Sequence, residues 1–406
     1  MSSLKYWIWL SSVSGIGPVT ALQLLDHFGT PENVFLADLH EYRKMESGRS
    51  VDFSQLMRKD LDDSNKILSS CQKVGCRIVT LHDAEYPDRL RNIYDPPLVL
   101  YVRGNLPSID DEAAVAIVGT RDCTLYGITS AENIGYSLAQ RGLLVVTGLA
   151  RGIDSAAARG ALRGGGCVLG VIGTGVDIVY PLENASLFEN VSAYGAIISE
   201  YPPGTPAIRA HFPARNRIIS GLSLGVAVIE APKRSGALIT AAKALEQGRD
   251  VFVLPGNIDA KSCEGSNSLL REGAIPILSG EDIINEYSEL FPDKIVPDGQ
   301  VKKISHEKKD AERLENPRRE DNYTQNNDKK VIDKKTTLDY IDINAILSEL
   351  TGDEKKVAET IGEKTIHVDE IIAGSGLTVP QVLTALTMLE INGHVLRAGN
   401  GKWKII

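Results

Sequence analysis

Short apolar runs rich in β-branched residues recur through the middle of the chain and alternate with stretches of helical periodicity. The apolar runs lie at 115–118, 143–147, 167–172, 195–199, 225–229 and 250–254. The helical stretches lie at 127–140, 154–163, 236–247 and 266–272. This alternation predicts an α/β fold built on a Rossmann-like, doubly wound and mostly parallel sheet. Two earlier runs, 76–80 and 98–102, are expected to extend the sheet, so the α/β domain is predicted to span residues 71–290.

Residues 1–70 lack such runs and are predicted to form a small helical domain of the SAM or helix-hairpin-helix type. In Gly15-Ile16-Gly17-Pro18, two glycines flank an apolar residue and a proline stands where a new helix would begin. This arrangement is typical of a helix-hairpin-helix turn, whose free N–H groups can bind a phosphate. The same glycines would also suit a tight corner between two helices, and both interpretations stay open.

The composition changes abruptly after the α/β domain. Residues 301–337 contain eleven Lys or Arg and eight Asp or Glu with almost no apolar side chains. Because such a segment cannot bury a core, residues 291–340 are predicted to be a charged flexible linker.

Residues 341–406 regain periodicity and predict a winged helix. The predicted helices lie at 355–361, 368–372 and 379–391, and the strands at 395–397 and 402–406 around the turn Gly399-Asn400-Gly401. The third helix carries no Lys or Arg, which disfavours base readout. A protein contact, or a weak DNA contact through Arg397, Lys402 and Lys404 of the wing, fits better.

The overall composition narrows the function classes. The 406 residues are 43% hydrophobic and 24% charged, as expected for a globular protein of two or three domains. No apolar run approaches the roughly 20 residues of a membrane helix. The start of the chain lacks a signal-peptide layout, so we expect a cytoplasmic protein without membrane contact. The five cysteines lack metal-site spacing, and the net charge of −9 disfavours indiscriminate polyanion binding but permits a local basic groove.

The loops of the predicted sheet lack the motifs of nucleotide-dependent and hydrolytic enzymes. Gly119-Thr120-Arg121 has only the first of the three glycines in a dinucleotide fingerprint. Tyr180-Pro181 interrupts the position where a helix would follow Gly173 and Gly175. The sequence contains no ATPase phosphate loop and no Gly-x-Ser-x-Gly elbow. We therefore expect no cofactor, no metal and no catalytic residue.

Anion-binding groups stand instead at several strand ends and helix starts. Carboxyl ends of parallel strands meet at one edge of a sheet, where ligands bind. Two neighbouring strands end in a glycine followed by an arginine, at 119–121 and 148–151. Ser235-Gly236 opens a helix directly after Lys233 and Arg234, which leaves N–H groups beside positive charge.

The segment 212–217 adds one phenylalanine and two arginines, a set that suits base stacking and phosphate contacts with an extended strand. A purely structural role for Arg215 and Asn216, in pinning their loop, stays open. The predicted DNA-binding residues are Gly119, Thr120, Arg121, Gly148, Phe212, Arg215, Asn216, Arg217, Ser235 and Gly236.

Three segments, 116–121, 148–154 and 212–223, closely resemble the DNA-processing protein A family, also called DprA or Smf. Further matches in the same order extend the resemblance over about residues 76–280. The resemblance implies a non-enzymatic protein of natural transformation that binds and protects incoming single-stranded DNA and loads the RecA recombinase. It also implies a homodimer formed through the Rossmann-like domain. Thr120 stands where the family commonly has serine, and Ala158 where it commonly has histidine, which would remove any contact made by that histidine.

Two alternatives from other classes stay open. A nucleotide-processing enzyme resembling the phosphoribohydrolases that release cytokinins would use the same sheet. The nearest segment, 235–240, lacks the glycine pair and the glutamate of that family's Pro-Gly-Gly-x-Gly-Thr-x-x-Glu stretch. An adaptor working chiefly through its winged helix would make DNA binding secondary.

Overall fold

The computed structural model describes residues 3–44, 52–296, 350, 352–362, 366–391, 395–397 and 402–405. The chain divides into two compact units, residues 1–312 and residues 313–406. The larger unit contains the N-terminal helices and the α/β sheet, and the smaller unit contains the C-terminal helices and hairpin.

Small helices form the N-terminal part of the larger unit. They are α1 (Leu4–Ser12), α2 (Pro18–Phe28), α3 (Pro31–Leu36), α4 (Leu39–Arg43) and α5 (Asp62–Val74), with a 3₁₀ turn at Phe53–Met57. Gly15 has a φ of 81°, a conformation that glycine adopts without strain, and Pro18 begins α2 as predicted. Trp7, Leu10 and Leu24 belong to the same continuous apolar core as the sheet.

A nine-stranded sheet forms the rest of the larger unit. The strands are β1 (Arg77–Thr80), β2 (Val99–Gly104), β3 (Ala114–Val118), β4 (Leu144–Thr147), β5 (Val168–Ile172), β6 (Ala196–Ser199), β7 (Gly225–Val228), β8 (Asp250–Val253) and β9 (Ile275–Pro276). They are ordered β1-β2-β6-β5-β4-β3-β7-β8-β9. The strands from β6 to β9 in this order pair in parallel, whereas β1 with β2 and β2 with β6 pair antiparallel. The predicted mostly parallel sheet is confirmed.

The helices that accompany the strands are α6 (Asp88–Arg91), α7 (Leu125–Gln140), α8 (Ile153–Arg163), α9 (Ala185–Tyr194), α10 (His211–Gly221), α11 (Gly236–Glu246), α12 (Glu264–Arg271) and α13 (Gly280–Tyr287). All four predicted helices are present. α7 and α8 approach closely because glycines lie between them: a Cβ at Gly135 would collide with the carbonyl oxygen of Ala157, and a Cβ at Gly160 with that of Glu132.

The chain reverses the direction of strand addition at β3. β4, β5 and β6 add to one side of β3, and the chain then returns to place β7 on the other side. α10 lies on this return connection. In open α/β sheets, such a switch point opens a crevice at the carboxyl ends of the strands, where ligands bind. Gly119 follows β3 directly, so the predicted binding loop lies at this crevice.

The smaller unit has the layout of a winged helix. Its elements are α14 (Gly352–Ile361), β10 (Ile366–His367), α15 (Val368–Ser375), α16 (Val379–Ile391), β11 (Val395–Arg397) and β12 (Lys402–Ile405). The strands are ordered β10-β12-β11 and pair antiparallel. Val357, Leu386 and Trp403 are part of its own apolar core. The predicted winged helix is confirmed.

Two predicted features of the C-terminal half, the turn at 399–401 and the linker from residue 297 to residue 340, lie outside the described residues. Among the helices that the structure describes, none is by itself long and apolar enough to cross a membrane. α15 and α16 reach that length and composition only together, and they are bent by 114° at the break between them.

Candidate functional site

A groove of about 720 Å³ opens at the switch point of the sheet. Three segments that are distant in sequence line it: the loop after β3, the start of α10 and the start of α11. The predicted residues among its walls are Gly119, Thr120, Arg121, Phe212, Arg215, Asn216, Ser235 and Gly236. Gly148 borders a smaller cavity of about 210 Å³ that shares Arg121, Phe212 and Arg215 with the groove. The fold therefore brings together every predicted site residue except Arg217.

The loop after β3 is fixed through its backbone. The Thr120 N–H donates to the carbonyl oxygen of Glu230 at 2.7 Å, and the Ile153 N–H donates to the carbonyl oxygen of Thr120 at 3.3 Å. Gly119 has no room for a side chain, because a Cβ would lie 2.5 Å from Cγ1 of Ile153. Packing against the start of α8 is thus sufficient reason for glycine here. The loop leaves the Arg121 side chain exposed at the groove.

Arg215 forms the floor of the groove. It is only 4% exposed, and its Nη1 donates to the carbonyl oxygen of Gly148 at 2.9 Å and to that of Val171. A Cβ at Gly148 would lie 2.6 Å from Nη2 of Arg215, so this glycine leaves the space that the guanidinium fills. Nε of Arg215 has no hydrogen-bond partner among the described residues. Arg215 therefore makes structural contacts, which the sequence analysis allowed as an alternative to DNA binding. It also borders both cavities.

Asp154 balances the buried charge of Arg215. Its Oδ2 accepts the N–H of Gly148 at 3.1 Å. Burial raises the pKa of Asp154, and Arg215 and backbone N–H groups oppose that rise. Burial lowers the pKa of Arg215 to about 10, with Asp154 acting in the opposite direction. Arg215 is therefore protonated at neutral pH, and Asp154 offsets part of its charge at the floor of the groove.

Two aromatic rings lie beside the exposed arginine. The guanidinium carbon of Arg121 is 5.5 Å from the centroid of the Phe212 ring. The Tyr180 ring lies 5.5 Å from Phe212, tilted by 39°, and Tyr180 is 45% exposed. A ring surface next to a cation provides both base stacking and a phosphate contact. In the sequence, Tyr180 serves only as evidence against a helix after Gly175, so its position at the groove is not predicted.

The start of α11 forms the opposite wall. Ser235 caps the helix, because its hydroxyl accepts the N–H of Ala237 at 3.2 Å. Nδ2 of Asn216 donates to the carbonyl oxygen of Gly236 at 3.2 Å and so connects α10 with α11. Gly236 is exposed, and a Cβ there would meet nothing within 4 Å. The predicted helix opening at Ser235-Gly236 is confirmed, and the Asn216 amide holds it against α10.

The prediction that 212–217 forms a loop is wrong, because these residues lie in α10. Pro213 stands in the first turn, where the missing N–H breaks no helical hydrogen bond. Arg217 is only 5% exposed, with its Nη2 2.7 Å from Oε1 of Glu200 and its Nε 3.2 Å from Oδ2 of Asp95. Burial lowers the pKa of Arg217, but the two carboxylates outweigh burial and raise it overall. The structure thus places Arg217 outside the groove, contrary to its prediction as a site residue, and Arg215 borders the groove instead.

Two further arginines were missed as part of the site. Arg209 and Arg234 are both exposed and line the groove. In the sequence, Arg234 contributes to the positive charge before the start of α11, but it is not among the predicted site residues. The groove thus has four arginines against two acids, Asp122 and Asp154. A basic groove exists although the chain carries a net charge of −9.

The two departures from the resembled family have different surroundings. The hydroxyl of Thr120 is retained relative to serine, and its Oγ1 accepts the N–H of Asp122 at 3.3 Å. Ala158 is fully buried in α8, so the position faces the core rather than the groove.

Cys71, Cys76 and Cys263 are buried, in line with a structural role. Among the residues that the structure describes, no group of three His, Cys, Asp or Glu side chains could hold a metal ion.

The sheet and its groove match the model of a protein family described as DNA recombination-mediator protein A. The match covers residues 77–288, more than half of the chain, and includes all three segments that line the groove. The chain belongs to this family. Two further family models match the flanking regions of this DprA-family protein: a SAM-like helix-hairpin-helix tandem at residues 10–46 and a DprA winged helix domain at residues 344–401. The resemblance found in the sequence and the predicted three-part fold are confirmed.

The chain is also similar to individual proteins. Protein Smf of Synechocystis sp. is 34% identical over 403 residues, which are 97% of this chain and 96% of that protein. The X-ray structure of DNA processing protein A from Streptococcus pneumoniae is 37% identical, with a TM-score of 0.61, over 70% of this chain and 97% of that one. A structure of the Helicobacter pylori protein is 30% identical, with a TM-score of 0.48, over 52% of this chain and 96% of that one; its subject is that protein's single-stranded DNA binding mode.

Proposed function

We propose that this DprA-family protein binds single-stranded DNA in the groove at the switch point. The observation that carries the proposal is the exposed Arg121 over the Phe212 ring in a groove that holds four arginines. Cations attract the phosphates, and rings stack with unpaired bases, whose faces a duplex hides. The family description, a DNA recombination mediator, supports a DNA ligand.

In this proposal, the position of each residue in the groove determines its role. The exposed cations that would contact phosphates are Arg121, Arg209 and Arg234. Arg215 adds positive charge from the floor, and Phe212 and Tyr180 offer ring surface to a base. The residues that shape the walls are Gly119, Thr120, Gly148, Asn216, Ser235 and Gly236. Arg217 pairs with Asp95 and Glu200 outside the groove, where it would stabilise α10 and make no DNA contact.

We also propose that the bound strand is protected and passed to the RecA recombinase in the cytoplasm during natural transformation. Membership in a family of recombination mediators supports this role, in which the protein performs no catalytic step. The winged helix is proposed to contact protein rather than bases. Its α16 contains no Lys or Arg and exposes three large apolar side chains, Val379, Leu383 and Met388.

A homodimer through the Rossmann-like domain completes the proposal. Large exposed apolar side chains often mark interfaces, and three such residues lie on or next to α11, β8 and β9: Leu245 is 57% exposed, Ile258 89% and Leu278 83%. Leu245 and Ile258 line a cavity of about 570 Å³ together with residues of α12. The domain limits in this proposal are 1–70, 71–290 and 341–406, joined by a linker at 291–340.

The proposal is tested by titrating a labelled single strand and a duplex of equal length at several salt concentrations. Wild-type protein should prefer the single strand. Arg121→Ala should weaken binding and lower the slope of log affinity against log salt by roughly 0.7, the amount expected for one lost phosphate contact on a single strand. Arg77→Ala is the matched control, because Arg77 is an exposed arginine on the edge strand β1, outside the groove.

Equal affinity for both DNA forms, or an unchanged salt slope in Arg121→Ala, would reject the groove as the DNA site. Base release from nucleoside monophosphates by the purified protein would favour the nucleotide-processing alternative instead.

A further inference from the structure

Glu230 follows β7 and is buried behind the loop that carries Arg121. It is 1% exposed and is absent from the groove surface. Its backbone carbonyl accepts the N–H of Thr120 at 2.7 Å. This hydrogen bond fixes the residue immediately before Arg121, at the first end of the loop.

The side chain of Glu230 reaches the other end of the same loop. Its Oε2 accepts the N–H of Thr124 at 2.9 Å, and its Oε1 accepts the hydroxyl of Thr124 at 2.6 Å. The Thr124 hydroxyl can donate only one proton, and its oxygen in turn accepts the N–H of Gly127 at 3.2 Å as the N-cap of α7. The carboxylate, the hydroxyl and the start of the helix therefore form one directed chain of hydrogen bonds.

The surroundings of the carboxylate suit a charged acceptor in this place. α7 has sixteen residues, and the positive end of its dipole faces Glu230. Gly127 leaves the necessary space, because a Cβ there would collide with Oε2 of Glu230. Ser262 adds a longer contact, with its Oγ 3.5 Å from Oε1. A buried carboxylate costs free energy unless such donors surround it, so the set of contacts is specific to an acid.

We propose that Glu230 is the positioning residue of the DNA site, which clamps the Arg121 loop at both ends in its binding conformation. This inference rests on the proposed function. Because the two anchored residues, Thr120 and Thr124, enclose only three others, the loop has little freedom before DNA arrives. A binding loop that is ordered in advance loses less conformational entropy on binding and so binds more tightly.

Glu230→Gln is the sharpest variant, since it keeps the shape of the side chain and removes one acceptor. The amide nitrogen cannot accept a hydrogen bond, so either the N–H or the hydroxyl of Thr124 loses its partner. We expect single-strand affinity to fall roughly tenfold, a loss of the size that one charge-assisted hydrogen bond provides.

A double-mutant cycle separates positioning from a general structural effect. If Glu230 acts through the Arg121 loop, Glu230→Gln combined with Arg121→Ala should bind DNA no more weakly than Arg121→Ala alone. Asp250→Asn is the matched control, because Asp250 also accepts a side-chain hydrogen bond, from the Tyr287 hydroxyl at 2.7 Å, but lies at the amino end of β8, away from the groove. That control should leave DNA affinity unchanged.

Hydrogen exchange tests the clamp without DNA. The amide of Thr124, which donates to the Glu230 side chain, should exchange faster in Glu230→Gln than in the wild type. The amide of Thr120, which donates to the unchanged backbone carbonyl of residue 230, and the amides in β8 should stay equally protected. Thr124→Val, which removes the same hydroxyl contact from an exposed position, should reproduce both effects, and it replaces Glu230→Gln if that variant fails to fold.

Additive losses of DNA affinity in the cycle, or unchanged exchange at the Thr124 amide, would overturn the proposal. If Arg121→Ala itself leaves DNA affinity unchanged, the proposed DNA site is wrong, and the exchange measurement still decides whether Glu230 holds the loop.

Discussion

Gly236 borders the groove and Gly148 borders the smaller cavity next to it, but only Gly148 has no room for a methyl group. A Cβ at Gly148 would lie 2.6 Å from Nη2 of Arg215, whereas a Cβ at Gly236 would meet nothing within 4 Å. Sequence reasoning predicts the same role for both glycines, because each lies next to an element at the ligand edge of the sheet. The difference arises from Arg215, which reaches Gly148 from another part of the chain.

Alanine substitutions at these two glycines should therefore have different effects. Gly148→Ala should displace the buried guanidinium of Arg215, cost roughly 1–3 kcal/mol of unfolding free energy and weaken DNA binding. Gly236→Ala should change the unfolding free energy by less than about 1 kcal/mol, because alanine favours the helical conformation. Urea unfolding and strand titration of both variants measure this difference. Equal destabilisation would mean that Arg215 tolerates a methyl group at position 148.

The partners of Arg217 explain why its role could not be read from the sequence. Cations near a predicted strand end suggest an anion site, and this reasoning found Arg121 correctly as part of the groove. For Arg217 the same reasoning failed, because its carboxylate partners Asp95 and Glu200 belong to separate segments that only the folded chain brings together. A cation with internal partners has the same sequence signal as one that faces a ligand.

At the level of elements, hydrophobic periodicity predicts the helices and strands whose apolar residues follow a single clear period. The helical pattern at 218–221 predicts only the end of α10. Its earlier residues are not predicted as helix, because residues 215 to 221 are all buried and leave no amphipathic period to detect. α13 was also missed, although its capping box, Ser279 with Asp282, was a readable signal of a helix start. The antiparallel pairing of β1 and β2 depends on contacts between strands and could not be derived from either strand alone.

Arg217 should stabilise α10 rather than bind DNA. Arg217→Met removes the partner of Glu200 and Asp95, and we expect a loss of roughly 1–3 kcal/mol in unfolding free energy. The salt slope of DNA binding should stay that of the wild type. Arg103→Met is the matched control: Arg103 pairs with Glu189 at 2.6 Å on the more exposed surface, where such a pair contributes roughly 0–1 kcal/mol.

Urea unfolding and the salt series for strand binding decide between the two roles of Arg217. Unchanged stability together with a lower salt slope would restore it as a phosphate contact.

For the whole molecule, the larger unit contains every residue that we assign to DNA binding. The exposed apolar residues proposed for the dimer, such as Leu245 and Ile258, belong to the same unit. A chain that ends at residue 296 should therefore remain dimeric and keep its single-strand affinity. It should lose recombinase loading if the winged helix contacts protein.

Sedimentation velocity, strand titration and a recombinase-loading assay on the shortened and the full chain measure these three properties. A monomeric shortened chain, or one with clearly weaker DNA binding, would place the interface or part of the DNA site in the smaller unit. Full loading by the shortened chain would reject the adaptor role of the winged helix.

The return connection that carries α10 also sets the order in which the groove can form during synthesis. Arg121 and Phe212 are 91 residues apart in the sequence, and β3, β4, β5 and β6 all precede α10. A growing chain therefore exposes Arg121 long before the residues of the facing wall exist. The complete groove forms only after β7 has joined β3 and the start of α11 has been made, so a chain that stops before Gly236 lacks one of its walls.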